Sequence, residues 1–333
     1  MQPKKWHIKE NLSTIFYMFT LMFRLSISVF TLWLCLLNVL EAAPRKAIKV
    51  FILAGQSNME GHGAITANAA QNNGHGSLEY LVKNEATSDQ YKHTVNSDGS
   101  WVTREDVWVE YLGRKGKLSV GFGAREHLFG PEFQFGHVVG NHFREQVLII
   151  KTAWGGKSLA GDFRPPSSGG KVGPFYTEMV KHVKGVLADL GKHFPDYRGQ
   201  SYTIAGFGWH QGWNDGLKND TVAEYEKHLI NLINDLRKEF ETPDLPVVIA
   251  NSGFGGEGQR IDRRLGIINA QLNVAKHKPF SGTVFTVETR PFFRPAEASP
   301  SRQGYHWNHN AETHFLIGDH MGKAMVKLIT SEE

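Results

Sequence analysis

The chain has 333 residues, with 37 lysines and arginines, 33 acidic residues and a formal net charge of +4. Hydrophobic residues make up 41% and charged residues 21%, a composition that excludes a disordered chain and allows a large buried core. The first 43 residues hold four basic and two acidic residues, so half of the net charge lies there. Because no basic run is present, we expect no nucleic-acid partner.

The N-terminal segment has the pattern of a secretory signal. Arg24 precedes a nearly continuous apolar run over residues 25–40, which is followed by the small residues Ala42 and Ala43. We therefore predict a signal peptide over residues 1–43 and a secreted or periplasmic protein. The alternative is a retained N-terminal membrane anchor with the body facing outside the cytoplasm, and only then do we expect membrane contact.

Strand-like and helix-like patterns alternate through the rest of the chain. Short apolar runs followed by glycine or polar residues are typical of buried strands, and they cover residues 49–53, 147–154, 202–209, 246–250 and 283–287. Amphipathic helical patterns cover residues 175–190, 221–240, 261–275 and 311–329. This alternation predicts an α/β fold with a parallel sheet covered on both faces.

Residues 60–140 interrupt the alternation, with many glycines, histidines and aromatic residues and weak periodicity. We expect them to form irregular excursions above the sheet, with room for a small hairpin, and no second domain. Residues 44–333 are thus predicted to be one domain.

Cofactor chemistry has little support in the sequence. The single cysteine, Cys35, lies in the leader, which excludes a thiol nucleophile or a cysteine metal site in the body. Residues 253–258 match the pattern G-x-G-x-x-G but follow the fourth predicted strand, so we expect no dinucleotide. Four late histidines lack the spacing of a close ligand pair, and we expect no metal: His306, His309, His314 and His320.

Polar residues follow the predicted strands, and in open α/β sheets ligands bind at these carboxyl ends. Ser57 follows the first strand on a glycine-flanked turn, where a serine serves either as a nucleophile or as a helix cap. A nucleophilic serine needs a histidine base and a group that orients this base.

Candidates for the other roles lie at the remaining strand ends. His306 lies in a segment of aromatic, histidine and asparagine residues before the last helix, and it is the candidate base. Gly155 and Gly156 could offer backbone N–H groups to an oxyanion, and Gln211 a side-chain amide. Asp215 carries a carboxylate that could orient a histidine; the alternative is a polar turn.

Four motifs occur in order along residues 48–329 and carry a resemblance to a known family. They are Gly55-Gln56-Ser57-Asn58-Met59-x-Gly61, Ala153-Trp154-Gly155-Gly156-x-Ser158-Leu159, Trp209-His210-Gln211-Gly212 and Gly304-Tyr305-His306-x-Asn308. Together they resemble the sialate O-acetylesterase and acetyl xylan esterase family (carbohydrate esterase family six) of the SGNH hydrolase superfamily.

The resemblance implies a flavodoxin-like three-layer α/β/α sandwich with about five parallel strands. It also implies a serine esterase that removes O-acetyl groups from polysaccharide or sialic acid through an acyl-enzyme, without a cofactor. Ser57 would be the nucleophile and His306 the base, with Ser57, Gly155, Gly156 and Gln211 forming the oxyanion hole. The expected substrate-binding residues are Gln56, Asn58, Trp154, His210 and Trp213.

The sequence departs from the family pattern at both familiar acid positions. Many relatives have an aspartate three residues before the histidine, where this chain has Gln303; others have a glutamate where it has Trp213. Asp215 is our first choice for the acid, Glu288 and Glu297 are weaker choices, and a dyad supported by a backbone carbonyl is a further option. The alternatives are a carbohydrate-binding protein with a degenerate triad and an esterase of non-carbohydrate short-chain esters.

Overall fold

The computed structural model describes residues 46–331, together with residues 16–18, 20 and 22. The signal peptide predicted over residues 1–43 lies, apart from those few positions, outside the described residues and stays a prediction. In the described part of the chain, no helix combines the length and the apolar character needed to cross a membrane. Ala47–Glu333 forms one unit by its contacts.

A seven-stranded sheet runs through this unit. Its strands, in spatial order, are β4 (Arg114–Leu118), β3 (Arg104–Tyr111), β6 (Val147–Ala153), β1 (Ile48–Gly55), β7 (Tyr202–His210), β8 (Val247–Ala250) and β9 (Val284–Val287). Neighbouring strands are parallel except for the antiparallel β3–β4 hairpin. The short strands β2 (Gly63–Ala64) and β5 (Leu128–Phe129) pair separately. The five predicted strands are confirmed.

Helices cover both faces of the sheet, which confirms the predicted three-layer sandwich. In chain order they are α1 (Ser57–Glu60), α2 (Leu78–Lys83), α3 (Ser88–Tyr91), α4 (Pro131–His142), α5 (Pro174–Ala188), α6 (Leu190–His193), α7 (Asn219–Glu239), α8 (Asp262–Val274) and α9 (Ala311–Thr330). Alternate residues of β1 face two separate cores. Val50 and Ile52 pack with α5, α7 and α8, whereas Phe51 and Leu53 pack with α4 and α9.

Residues 60–140 are more regular than we expected. Strand β3 extends the main sheet beside β6, and α4 packs against α9. The strand pattern is hidden because Glu110 is fully buried in it, where it accepts a hydrogen bond from His182. Helix α4 is hidden because it buries polar residues such as Glu132 and His137 together with its phenylalanines.

The carboxyl ends of β1 and β7 meet where the first motif begins. Gly55 has a φ of +154°, and a Cβ at this position would lie 2.2 Å from the carbonyl oxygen of His210. Only glycine permits this approach, and the chain then turns directly into α1. The fold therefore places Ser57 at the edge of the sheet where ligands bind in open α/β proteins.

Candidate active site

Ser57 is the first residue of α1 and is 7% exposed. The last residue of this short helix is bound to strand β6, because Lys151 Nζ donates a hydrogen bond of 2.7 Å to the carbonyl oxygen of Glu60. Lys151 itself is fully buried and pairs with Glu132 at 2.8 Å. The serine thus lies on a turn whose position is fixed by a buried ion pair.

His306 lies in the segment Gly304–His309, which contacts α1. Asn58 Nδ2 donates a hydrogen bond of 3.0 Å to the carbonyl oxygen of Tyr305, so the residue after Ser57 is joined to the residue before His306. The structure therefore brings the serine and the histidine segments together.

The segment that carries His306 is strained. Trp307, Asn308 and His309 have φ values of 54°, 55° and 59°, in the left-handed region that residues other than glycine seldom adopt. Burial of the Trp307 ring and a 3.0 Å bond from Asn308 Nδ2 to the carbonyl oxygen of Arg294 hold this conformation. Such strain is common where a protein fixes a functional group.

A neutral amide occupies the position of the missing acid beside the histidine. His306 Nδ1 lies 3.3 Å from Gln303 Oε1. An amide oxygen only accepts, so this contact assigns the hydrogen to Nδ1 and leaves Nε2 as the free acceptor. Burial, reinforced by the nearby His309, lowers the pKa of His306 to about 4, so its imidazole is neutral at neutral pH.

Asp215 has different partners from those we predicted. Its buried carboxylate accepts hydrogen bonds of 2.8 Å from the Leu159 and Ala160 backbone N–H groups and of 2.6 Å from Gln211 Nε2. Within residues 46–331, no hydrogen bond joins it to His306. Its contacts make it an anchor for the loop after β6.

The weaker acid candidates do not meet the histidine either. Glu288 pairs with Arg290 and accepts a hydrogen bond from Asn251, and Glu297 is exposed. Among the described residues, Gln303 is thus the side chain that faces His306 Nδ1.

Gly155 and Gly156 lie beside the serine at the end of β6 and are exposed. A Cβ on Gly155 would lie 3.9 Å from Ser57 Cβ, and Gly156 has a φ of +68° with open space around it. Small residues here let a substrate approach the backbone, and the Ser57 N–H in the first turn of α1 has no carbonyl partner within the helix. The Ser57 and Gly156 N–H groups are available to an oxyanion, whereas the Gly155 N–H that we predicted for this role donates to the Glu60 carboxyl group.

Gln211 does not have the free amide that we predicted. Its Nε2 donates to Asp215 and, at 3.0 Å, to the carbonyl oxygen of Lys157, which uses both amide hydrogens. Its Oε1 accepts a 2.9 Å bond from the Tyr225 hydroxyl. In this arrangement, Gln211 fixes the loop that carries the glycines.

The five predicted substrate-binding residues divide into two groups. Gln56, Asn58 and His210 are at most 2% exposed; Gln56 Oε1 accepts a 3.2 Å bond from the Gly212 N–H, and His210 Nδ1 lies 2.9 Å from the carbonyl oxygen of Ala250. These side chains hold the strand ends together. Trp154 and Trp213 are partly exposed and can meet a ligand.

Trp213 belongs to an aromatic surface next to the histidine segment. The guanidinium of Arg264 lies 3.5 Å from the Trp213 ring, which stiffens it, and the exposed Tyr305 ring is 5.7 Å away. A cavity of about 570 Å³ opens beside His309 and is lined mainly by residues 64–71. A larger cavity of about 750 Å³ between β9 and α9 touches none of these residues.

Two residues of the site were missed from the sequence. Glu60 is partly buried, and this burial raises the pKa of its carboxyl group. Hydrogen bonds from the Tyr111 hydroxyl and the Gly155 N–H, and the charge of Lys151, oppose the rise. His62 stacks on His306 with 3.6 Å between ring centroids. A signal existed for Glu60, since it follows Ser57 by three residues and shares its helix face.

The segments that carry Ser57 and a neutral histidine contact each other at the carboxyl edge of a parallel sheet, beside the exposed Gly156. This arrangement defines a carboxylic ester hydrolase. The family model described as "Carbohydrate esterase, sialic acid-specific acetylesterase" matches residues 47–327, so the chain belongs to this family and removes O-acetyl groups from carbohydrate. The resemblance seen in the four motifs is confirmed.

Among the solved structures that resemble this chain, one gives the fold independent support. A protein from Arabidopsis thaliana is 17% identical with a TM-score of 0.55, covering 84% of this chain and 98% of its own. A carbohydrate acetylesterase from Xanthomonas citri is 11% identical with a TM-score of 0.48, covering 83% of this chain and 56% of its own. NanS is 11% identical with a TM-score of 0.46, covering 74% and 79%. A comparison with curated proteins gave no match.

Proposed function

We propose that this chain deacetylates carbohydrate with a serine–histidine pair oriented by an amide, in which Ser57 is the nucleophile, His306 the base and Gln303 the orienting group. The observation that carries the proposal is the contact of His306 Nδ1 with Gln303 Oε1 in a segment tied to α1. A neutral acceptor fixes the tautomer but cannot stabilise the imidazolium as a carboxylate does. The pair is complete without Asp215.

In the first half-reaction, His306 Nε2 takes the proton of the Ser57 hydroxyl while the oxygen attacks the acetyl carbonyl. The oxyanion accepts hydrogen bonds from the backbone N–H groups of Ser57 and Gly156, since the Gly155 N–H donates to Glu60. The sugar oxygen leaves with the proton from His306, and an acetyl-serine remains. Water, activated by the same imidazole, then releases acetate and restores the serine.

The acetylated sugar would lie against the aromatic surface formed by Trp213 and Tyr305. Flat rings suit the apolar faces of a sugar, and the Arg264 contact keeps the Trp213 ring in place. The cavity beside His309 has the volume of typical small-ligand pockets and offers room for neighbouring sugar units. Acetylated polysaccharide and acetylated sialic acid are both candidate substrates.

Acetate release from acetylated xylan, acetylated sialic acid and short acyl esters tests the proposal. Ser57→Ala should lose measurable release and also labelling by a fluorophosphonate, with an unchanged circular dichroism spectrum. Ser281→Ala, at an exposed serine outside the site, is the matched control and should behave as wild type. Full activity in Ser57→Ala would exclude the assignment.

The same experiment separates the alternatives. A carbohydrate-binding protein with a degenerate site would take up no fluorophosphonate at Ser57 yet bind the sugar. An esterase of other esters would be labelled but would release acetate from short acyl esters alone. The aromatic surface favours the carbohydrate substrate.

We infer from the leader sequence that the enzyme is exported. The support is the basic, apolar and small-residue pattern of residues 1–43. Expression of the whole chain with N-terminal sequencing of the exported product tests this. A mature N-terminus near Pro44 agrees with cleavage, whereas an intact leader in the membrane fraction would indicate an anchor.

A further inference from the structure

Three imidazole rings meet at the mouth of the site, and the reaction uses one of them. Each of His62, His306 and His309 offers a ring nitrogen, and these nitrogens all lie within 4.8 Å of one another. His62 comes from the turn after α1, and the other two come from the strained segment some 240 positions later. All three are partly buried and therefore reachable by a small ion.

The other nitrogens of two of these rings are already held. Gln303 Oε1 lies 3.3 Å from His306 Nδ1 and 3.0 Å from His309 Nε2. A histidine that ligates a metal usually donates its second N–H to such an acceptor, which fixes the ring and its tautomer. This leaves His306 Nε2 and His309 Nδ1 as bases with free lone pairs.

His62 supplies a nitrogen with no partner. Its Nε2 is buried and has no hydrogen bond, a costly state for a polar atom. The completely buried His314 likewise has two unpartnered nitrogens, and it lies near enough to feel charge on the three rings. The region therefore contains neutral imidazole nitrogens that lack protein partners.

We propose that His62, His306 and His309 bind a divalent transition-metal ion such as Zn²⁺, and that this ion reversibly switches off the esterase. Zinc is bound by imidazole nitrogens at about 2.0–2.1 Å, which places two ligands about 3.4 Å apart. The present spacing requires the rings to turn, because those of His62 and His306 are stacked with 10° between their planes.

The switch follows from the identity of one ligand and rests on the proposed function. An ion on His306 Nε2 occupies the lone pair that must take the proton of Ser57, so metal binding and ester cleavage exclude each other. Neutral imidazole is the form that binds metal.

The test measures binding separately from activity. Co²⁺ is titrated into the full chain carrying Ser57→Ala, and the visible absorption of the bound ion is recorded. We expect one ion per chain. His62→Phe keeps an aromatic ring against His306 but removes a ligand, and it should weaken binding at least about tenfold. His277→Ala, at an exposed histidine that contacts Glu226, is the matched control and should bind as the parent does.

Activity gives the second measurement. With Ser57 intact, Zn²⁺ should inhibit acetate release and a chelator should restore it, whereas His62→Phe should need at least about tenfold more Zn²⁺, each variant being compared with its own rate without metal. Absent Co²⁺ binding, or binding unchanged in His62→Phe, would overturn the metal site even if Ser57 proves catalytic. Binding that leaves acetate release unaffected would overturn the switch.

Discussion

Replacing Gln303 by glutamate should make the enzyme faster. The substitution is isosteric and puts a carboxylate oxygen where the amide oxygen now lies, 3.3 Å from His306 Nδ1. The reaction passes through an imidazolium, and a negative charge at this point stabilises it more than a neutral acceptor does. The amide-oriented pair therefore predicts a gain of function from one added charge.

The expected size follows from Coulomb's law. At 3.3 Å, two unit charges attract by about 1.3 kcal/mol in bulk water and by about 5 kcal/mol at an effective dielectric constant of 20. Gln303 is exposed, so the value nearer the water limit applies. A gain of about 1–2 kcal/mol in the transition state corresponds to roughly 5- to 30-fold in kcat.

The assay is acetate release at saturating substrate, with kcat and KM determined separately. Gln303→Glu should raise kcat with little change in KM, and Gln303→Ala, which removes the acceptor, should lower kcat. Gln303→Asp is a second charged variant with a shorter side chain. If the glutamate and alanine variants both retained the wild-type kcat, Gln303 would not orient the base.

Three further substitutions test the surroundings of the site. Asp215→Asn leaves a backbone N–H facing the N–H group of the new amide, so we expect the free energy of unfolding in urea to be about 1–3 kcal/mol lower. A fall in kcat near 10⁴-fold would instead identify Asp215 as the triad acid. Lys151→Met leaves Glu132 buried without its partner and should cost about 3–5 kcal/mol, most of which the additional change Glu132→Gln should recover. Burial lowers the pKa of His137 to about 3 in the folded chain, against an ordinary value of 6.5. As the pH is lowered below 6.5, the unfolded chain binds a proton at this histidine and the folded chain does not, so the free energy of unfolding decreases as the pH decreases. His137→Phe should remove about 2 kcal/mol of the stability lost between pH 7 and pH 5, and an unchanged difference between the two pH values would contradict this.

The sequence was sufficient for the layers of the fold because the central strands are continuously apolar and the covering helices are amphipathic. Strand β3 was not predicted because its pattern contains Glu110, whose carboxylate accepts a hydrogen bond from His182, a residue distant in sequence. Helix α4 was not predicted because it is buried on several sides and carries no single apolar stripe. Both failures come from polar residues paired through the tertiary structure.

The proximity of the Ser57 and His306 segments was predictable because both lie where strand ends converge at one edge of the sheet. The partners of the polar residues were not, since hydrogen bonds depend on which loop lies opposite. Asp215 was assigned to the histidine from its place near Gln211, but the loop after β6 presents two N–H groups to it. His62 was overlooked as a ligand because spacing along the chain says nothing about a ring supplied from far away.

Gln303 links the reaction and the proposed metal site through one oxygen atom. This oxygen accepts hydrogen bonds from both His306 and His309, so a negative charge placed on it would affect both rings. A carboxylate there would make His306 a stronger base and both imidazoles stronger metal ligands. An amide keeps the base weaker, and it also keeps metal binding weak enough to be reversed. A carboxylate at position 303 would therefore make catalysis faster and inhibition by the metal tighter.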